Sequence, residues 1–394
     1  MSKPVEPCII PWVSFSTNTF GKSRPCGYSA FKSIRPLGSS TITREFNGEV
    51  FRTVRREFLS GQWPKNCDRC KYMEQTESTP SKRAMEKARY PELAALIART
   101  SSDGSVKHFP EEIDIRLGSV CNLKCIHCGV GNSSKWLEDE ELIGKYQNTI
   151  SPPVNNRWVD HETPMWKELF EHLPVIRKFN FVGGEPFASR QHGRFIERVS
   201  RTPFARQISL HYVTNGTLLS EAQMAVLKKF KRVTINISLD ATGPVLEFFR
   251  FPIEAKALEE TLLGLENSLT EAFDLRLQWT SSNVSIFYLD ETLDFYEQRF
   301  KKIQFKFCNF VDFPSHMSAQ NLPQSVKRQI RRKLEPYLQR YPEIDFYLRQ
   351  MDENEGWGDH GPLLFQYLDD LSRVRKVDWR SNFRQFADAI GSAP

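Results

Sequence analysis

The sequence has no long apolar run: its longest clean one, Leu93 to Ala98, falls far short of the roughly 18 residues a membrane helix needs. That excludes a helical membrane span. The first residues, MSKPVEPCIIPW, carry a single early lysine and no sustained apolar core, so they do not read as a secretory signal. A cytoplasmic protein without a membrane partner is expected. Extreme charge is lacking too. A formal net charge of +6 is modest for 394 residues. Low-complexity tracts and internal repeats are also missing, and 40% hydrophobic residues with 29 Phe provide for packed cores.

Two regions concentrate the positive charge: residues 1–60, and the cluster Lys327, Arg328, Arg331, Arg332 and Lys333. Contact with nucleic acid is one reading of that cluster. The other is a solvated helix face, since Ile330, Leu334 and Leu338 recur there at helical spacing.

From residue 111 the pattern alternates between strand and helix. Expected strands are EIDIRLG (112–118), KFNFVGG (178–184), QISLHYVTNG (207–216), RVTINISLD (232–240), DLRLQWTSS (274–282) and KIQFKFCNF (302–310). Helical stretches such as SEAQMAVLKKFK and EAKALEETLLGLENSL lie between them. Six βα units predict an α/β fold with a parallel sheet, because parallel neighbours need crossover connections. Such a sheet curls into a partial (β/α)6 barrel with its site at the strands' C-terminal ends. The strands carry a polar face as well as an apolar one: Ile235, Ile237 and Leu239 alternate with Thr234, Asn236, Ser238 and Asp240. Buried parallel strands usually read as unbroken apolar runs, so this face predicts an interior that holds a polar ligand, the alternative being polar side chains that pair with one another in the core.

Three parts are expected. Residues 1–110 form a small Cys-rich module with a hairpin and a helix near 81–99, residues 111–320 the barrel, and residues 321–394 a helical extension. That extension should pack through Tyr337, Phe346, Tyr347, Leu363, Phe365, Tyr367, Trp379 and Phe383.

Three of the eight cysteines crowd into SVCNLKCIHCGVG, directly after the first βα strand. Three thiolates cannot close a tetrahedral zinc site. They do suit a four-iron four-sulfur cluster with one iron left open to a ligand. A Cys3His zinc site using His127, or plain core cysteines, are the alternatives. Cys8, Cys26, Cys67 and Cys70 form a second set, enough to close one metal site, with zinc and an iron–sulfur cluster nearly tied on donor chemistry. Cys308 is left over on the sixth strand, alternating with Gln304 and Lys306. It is a candidate hydrogen donor facing substrate, or a spare buried thiol.

CNLKCIHC fits C-x3-C-x2-C and resembles the signature of the radical S-adenosylmethionine (SAM) superfamily. FVGGEPF after the second strand resembles that family's GGEP motif, and ISLDA closes the fourth strand. The resemblance implies the partial barrel and a 4Fe-4S cluster on Cys121, Cys125 and Cys128. SAM would be held by Gly183, Gly184, Glu185 and Pro186 at its methionine amino group, and by Ser238 and Asp240 at its ribose or carboxylate. His127 takes a place often given to an aromatic near the adenine, and Asn215, in TNG, falls on the cofactor side. It also implies reductive cleavage of SAM to a 5′-deoxyadenosyl radical that abstracts hydrogen from substrate, with flavodoxin or ferredoxin as a one-electron donor.

Cys8-x12-Gly21-x4-Cys26 followed by Cys67-x2-Cys70 resembles the first half of the SPASM domain, its shortened form called twitch, which carries an auxiliary cluster. Thr76 and Pro80 stand where a full SPASM domain continues with cysteines, while Glu74, Ser81 and Arg83 match a C-x2-C-x3-E, S-x-R group of twitch-containing proteins. The module precedes the barrel here, where it usually follows. The implied substrate is a peptide or protein side chain. The rival readings are radical modification of RNA or a nucleotide, and a non-catalytic zinc-binding interaction protein.

Overall fold

The computed structural model describes residues 5–29, 32, 36–76, 81–87, 93–146 and 154–391. The chain divides into two compact units. The first comprises Met1–Val120, Val154–Tyr212 and Ala222–Val233; the second comprises Cys121–Pro153, Val213–Glu221 and Thr234–Pro394.

All six expected strands form; five are shorter than expected at one or both ends, while the fifth keeps its length and starts and ends one residue earlier. They are β3 (Glu112–Arg116), β4 (Lys178–Val182), β5 (Ser209–Thr214), β6 (Arg232–Ser238), β7 (Phe273–Ser281) and β8 (Gln304–Phe310). Ahead of them stand β1 (Ser14–Thr17) and β2 (Ser23–Arg24), the expected N-terminal hairpin.

In the first unit the strand order is β2-β1-β3-β4-β5. β3–β4 and β4–β5 are parallel, as their crossover connections require. β1 also runs parallel to β3, pairing Ser14 with Glu112 and Ser16 with Asp114, so the hairpin extends the sheet beyond the expected strands. Its apolar anchor is Phe15, stacked on Phe51 of the helix Glu49–Leu59 at 5.6 Å. Arg55 of that helix is buried and donates to the Pro11 and Gly104 carbonyls. The helix expected near 81–99 is two short ones, Lys82–Lys87 and Leu93–Ala98, and residues 88–92 between them lie outside the described residues.

In the second unit the order is β6-β7-β8. β7 and β8 are parallel, with a register shift after the Trp279–Phe307 pair: Thr280 next meets Asn309, leaving Cys308 as the extra residue of a bulge. Along β3 to β7 buried residues alternate with half-buried or exposed ones, the buried ones apolar except Thr214 and Ser281 and the others polar except Val182 and Val213, close to the two-faced pattern the sequence predicts. The C-terminal segment is helical, including Gln324–Leu334, Ile344–Asp352 and Trp357–Arg375. Tyr337, Tyr347, Tyr367, Trp379 and Phe383 are buried as expected, whereas Phe346, Leu363 and Phe365 are half-buried. No described helix is long and apolar enough to cross a membrane.

The basic cluster is largely occupied inside the second unit. Lys327 is buried and donates to the carbonyls of Gln320 (2.7 Å) and Asn354 (2.5 Å). Lys333 reaches the Phe287 carbonyl (2.7 Å) and Asp290 (3.0 Å), and Arg331 pairs with Asp352. Most of this charge braces helices against one another, which removes much of the motive for a nucleic-acid surface.

Candidate functional site

The cysteine loop belongs to the second unit. Its backbone is pinned from several sides: Lys124 N–H donates to the Phe251 carbonyl (2.6 Å), Ile126 N–H to that of Phe249 (2.9 Å), and Cys128 N–H to that of Cys125 (2.9 Å). The carbonyls on the other edge are taken by side chains. Ser133 Oγ donates to Leu123 O (2.6 Å) and Trp136 Nε1 to Cys125 O (3.3 Å). Tyr367 Oη donates to Ile126 O and Arg375 Nη2 to Lys124 O, both at 2.6 Å. A loop with its carbonyls bonded in this way presents its thiols from a fixed frame.

The thiols interact. Cys128 hydrogen-bonds Cys125, and Cys121 is close enough to act on Cys128 electrostatically. That contact lowers the pKa of Cys125, against burial and with the help of Arg250 and Arg375, and raises that of Cys128, where burial acts in the same direction and Arg250 opposes it. Arg250 Nη1 lies 3.6 Å from Cys125 Sγ, and Asn215 Nδ2 approaches Cys121 Sγ at 4.0 Å while donating to Asn122 Oδ1 (2.8 Å). Thiols that already share a proton beside a cation form a donor set suited to metal binding as thiolates.

Asp240 is fully buried and ion-paired to Arg250 at 2.5 Å, and its Oδ1 has no hydrogen-bond partner among the described residues. Burial alone would lower the Arg250 pKa, but Asp240 and the thiols of Cys125 and Cys128 more than offset it, and the net shift is upward. Ser238 is half-buried on the polar face of β6. His127 tilts against Phe249, ring centroids 5.2 Å apart. Burial lowers its pKa to about 4, and its Nδ1 has no partner among the described residues. An orphaned imidazole nitrogen and an orphaned carboxylate oxygen are what a polar ligand would satisfy.

Cys308 is exposed, yet its sulfur accepts from Gln278 Nε2 (2.9 Å) and Asn309 Nδ2 (3.1 Å). Desolvation of that sulfur raises its pKa to about 11, keeping it a thiol.

The GGEP segment belongs to the first unit, directly after β4. Gly183 and Gly184 have φ of +82° and +52°, and a Cβ on Gly184 would stand 2.4 Å from the Val120 carbonyl oxygen. Only glycine fits so close a backbone crossing. Glu185 N–H donates to that same carbonyl (2.7 Å), and the buried Glu185 carboxylate accepts from Phe187 N–H (3.1 Å). Pro186 opens a short turn, Pro186–Ala188, and Ser189 caps the helix Arg190–Ser200.

Cys8, Cys26, Cys67 and Cys70 all line one cavity of the first unit, with apolar walls from Ile10, Val54 and Phe58. Burial raises the pKa of Cys8 to about 12 and those of Cys26 and Cys67 as well. Lys82 and Arg83 also line the cavity and favour thiolates there. Glu74, Ser81 and Arg83 are joined: Arg83 Nε donates to Glu74 Oε1 (2.9 Å), its Nη2 pairs with Oε2, and Ser81 Oγ also donates to Glu74. This ties the helix Asp68–Thr76, which carries Cys70, to the helix Lys82–Lys87. Four thiols around one cavity fit a metal or cluster in their chemistry. Among the described residues, no three Cys, His, Asp or Glu side chains are drawn together as a finished ligand set in either unit.

The spacing of the cysteines does not announce Arg250 or Arg375. The only local signals are an arginine isolated in the apolar run VLEFFRFP and another ending the helix Trp357–Arg375.

No curated protein matches the chain. Among solved structures it is similar to Streptococcus suis SuiB bound to precursor peptide SuiA, at 13% identity over 86% of this chain and 71% of that one, TM-score 0.39. It is also similar to anSMEcpe with bound AdoMet, at 19% identity over 62% and 63% of the two chains, TM-score 0.39. SuiB bound to S-adenosylmethionine aligns at 14% identity over 83% and 68%, TM-score 0.38. The model of the Radical SAM superfamily matches residues 115–272, a range that holds the cysteine triplet, GGEP, TNG and ISLDA, so this part of the chain is similar to that family.

Proposed function

We propose that the chain is a radical SAM enzyme acting on a peptide or protein side chain, with Cys121, Cys125 and Cys128 holding the 4Fe-4S cluster. The observation that carries the reading is the cysteine loop, whose carbonyls are bonded from outside while its thiols face one another and Arg250. When bound, such a cluster with SAM supplies a one-electron cleavage that yields methionine and a 5′-deoxyadenosyl radical, the hydrogen-abstracting agent. The chain's own part is to bind, orient and exclude water. In this reading Asp240 and Ser238 meet the polar groups of SAM, His127 packs beside its adenine, and Asn215 supports the loop. Gly183, Gly184, Glu185 and Pro186 offer the backbone turn that receives its amino group.

Cys8, Cys26, Cys67 and Cys70 hold an auxiliary iron–sulfur cluster in a twitch-like module, residues 1–110, ahead of a partial (β/α)6 barrel at 111–320 and a helical extension at 321–394. Zinc at that site is the alternative the donor set leaves open. A one-electron donor of the flavodoxin or ferredoxin type completes the system. Cys308, held as a thiol with an S–H bond to give, is the proposed hydrogen donor to a substrate radical.

The test is anaerobic reconstitution with iron and sulfide, reduction, addition of SAM, and detection of 5′-deoxyadenosine by mass spectrometry. Wild-type protein is expected to form it and Cys125→Ala to lose it. No product from the wild type, or undiminished product from the variant, would sink the proposal.

A further inference from the structure

The charges around the cysteine loop do not balance. Lys124 is bonded to Asp139 (2.5 Å) and Glu138 (3.3 Å), and Arg250 to Asp240 (2.5 Å), so each of these cations has its anion. Arg375 does not. It is buried, and its guanidinium donates only to main-chain carbonyls, those of Phe248 and Lys124, among the described residues. The rings of Phe248, Phe251 and Trp136 lie 5.0, 5.2 and 5.7 Å from its carbon. Asp139, the carboxylate that acts on it, is already bonded to Lys124. A buried cation without an anion is costly. Besides Asp139, the groups that act on Arg375 are Tyr367, a phenol that burial keeps protonated, and the thiol of Cys125, the residue next to the Lys124 carbonyl that Arg375 Nη2 bonds at 2.6 Å.

We propose that Arg375 is the counter-charge to the thiolate-ligated cluster at Cys121, Cys125 and Cys128, and that it sets the cluster's reduction potential. The inference rests on the cluster assignment above. Three thiolates outweigh the charge of the iron–sulfur core, so the ligated cluster is anionic, and it gains one further negative charge on reduction. A fixed positive charge beside Cys125 therefore favours the reduced form over the oxidised one. Arg250 contributes less, because Asp240 cancels its charge at longer range.

Arg55 provides the internal contrast. It too is buried, bonded to two carbonyls and set over aromatic rings, Phe46 and Phe51. No thiol acts on it. Carbonyl bonding alone can thus hold a guanidinium in this protein, and what separates Arg375 is its place beside the triplet.

The experiment compares Arg375→Gln, which keeps donors without charge, Arg375→Met, which keeps neither, and Arg375→Lys, which keeps charge without the fork. Each is reconstituted as the full chain, and the reduced-cluster EPR signal that responds to added SAM is titrated against potential. Arg375→Gln and Arg375→Met are expected to lower the reduced-to-oxidised ratio at fixed potential about tenfold, a downward shift of about 59 mV for one electron. Arg375→Lys and the control Arg55→Gln are expected to leave it in place.

An unmoved potential in the uncharged variants overturns the proposal, as does an equal shift in Arg375→Lys. If neither uncharged variant folds, Arg375 is a brace of the Arg55 kind and the proposal also falls. A wild-type protein that takes up no cluster and shows no such signal defeats the underlying assignment, a result distinct from a loaded cluster with an unmoved potential.

Discussion

His192 and His316 are both buried, and burial holds their pKa values to about 3 and about 4, well under the ordinary histidine range. His192 lies against Tyr212 Oη (3.1 Å), and His316 packs on Tyr146 and Tyr367 with His360 adding like charge. Both are neutral when folded and take up a proton on unfolding once the pH falls below the unfolded value of about 6.5. Their contribution to stability is therefore full above that pH and is lost progressively toward pH 4, at about 1.4 kcal/mol per pH unit for each proton. Urea titrations of the metal-free protein between pH 7 and 4.5 should show this slope, and His192→Gln should remove about half of it. An unchanged slope in that variant refutes the assignment. At this scale the sequence disclosed the residues whose roles depend on near neighbours: the triplet within eight positions, and glycines forced into positive φ. It did not disclose Arg250, bonded to a cysteine 125 positions away, or Arg375, bonded across 251. Nothing in local spacing encodes a partner that distant.

The elements were legible where a period was strong. Alternation in β3 to β7 shows which side is buried, because a one-residue slip would turn every isoleucine outward. Two features were not legible. β1 is only four residues long and fully buried, so no alternation reveals that it pairs with β3. The bulge at Cys308 breaks the alternation that sets this cysteine beside Lys306, and its thiol turns instead to Gln278 and Asn309. The Glu74–Arg83 bridge yields a prediction at this scale. Charged hydrogen bonds of this kind contribute about 1.5–3 kcal/mol, here to holding two short helices beside the four-cysteine cavity. Glu74→Ala should lower the metal bound by Cys8, Cys26, Cys67 and Cys70 several-fold, measured by elemental analysis. Metal bound at the triplet should be unaffected. Full occupancy in the variant would show that the bridge is dispensable.

Across the whole molecule, the two thiol sets fall in different compact units, Cys8 to Cys70 in the first and the triplet in the second. Each set draws its surroundings from its own unit: Arg83, Lys82 and Phe58 in one, Arg250, Arg375 and Tyr367 in the other. They should load independently. Cys67→Ala with Cys70→Ala should abolish one spectroscopic signal and leave 5′-deoxyadenosine formation measurable, while Cys121→Ala with Cys128→Ala should do the reverse. Joint loss of both signals from either pair would mean that the sites assemble as one. The clamp on the cysteine loop has a consequence for how the protein is made. Chains emerge N-terminus first at about 5–20 residues per second, so Lys124 leaves the ribosome roughly 10–50 s before the arginine that bonds its carbonyl. Throughout that interval the three thiols sit on a loop without its last anchor. The finished setting for them exists only when synthesis of the helix Trp357–Arg375 is complete, which makes insertion of any cluster there an event late in, or after, translation.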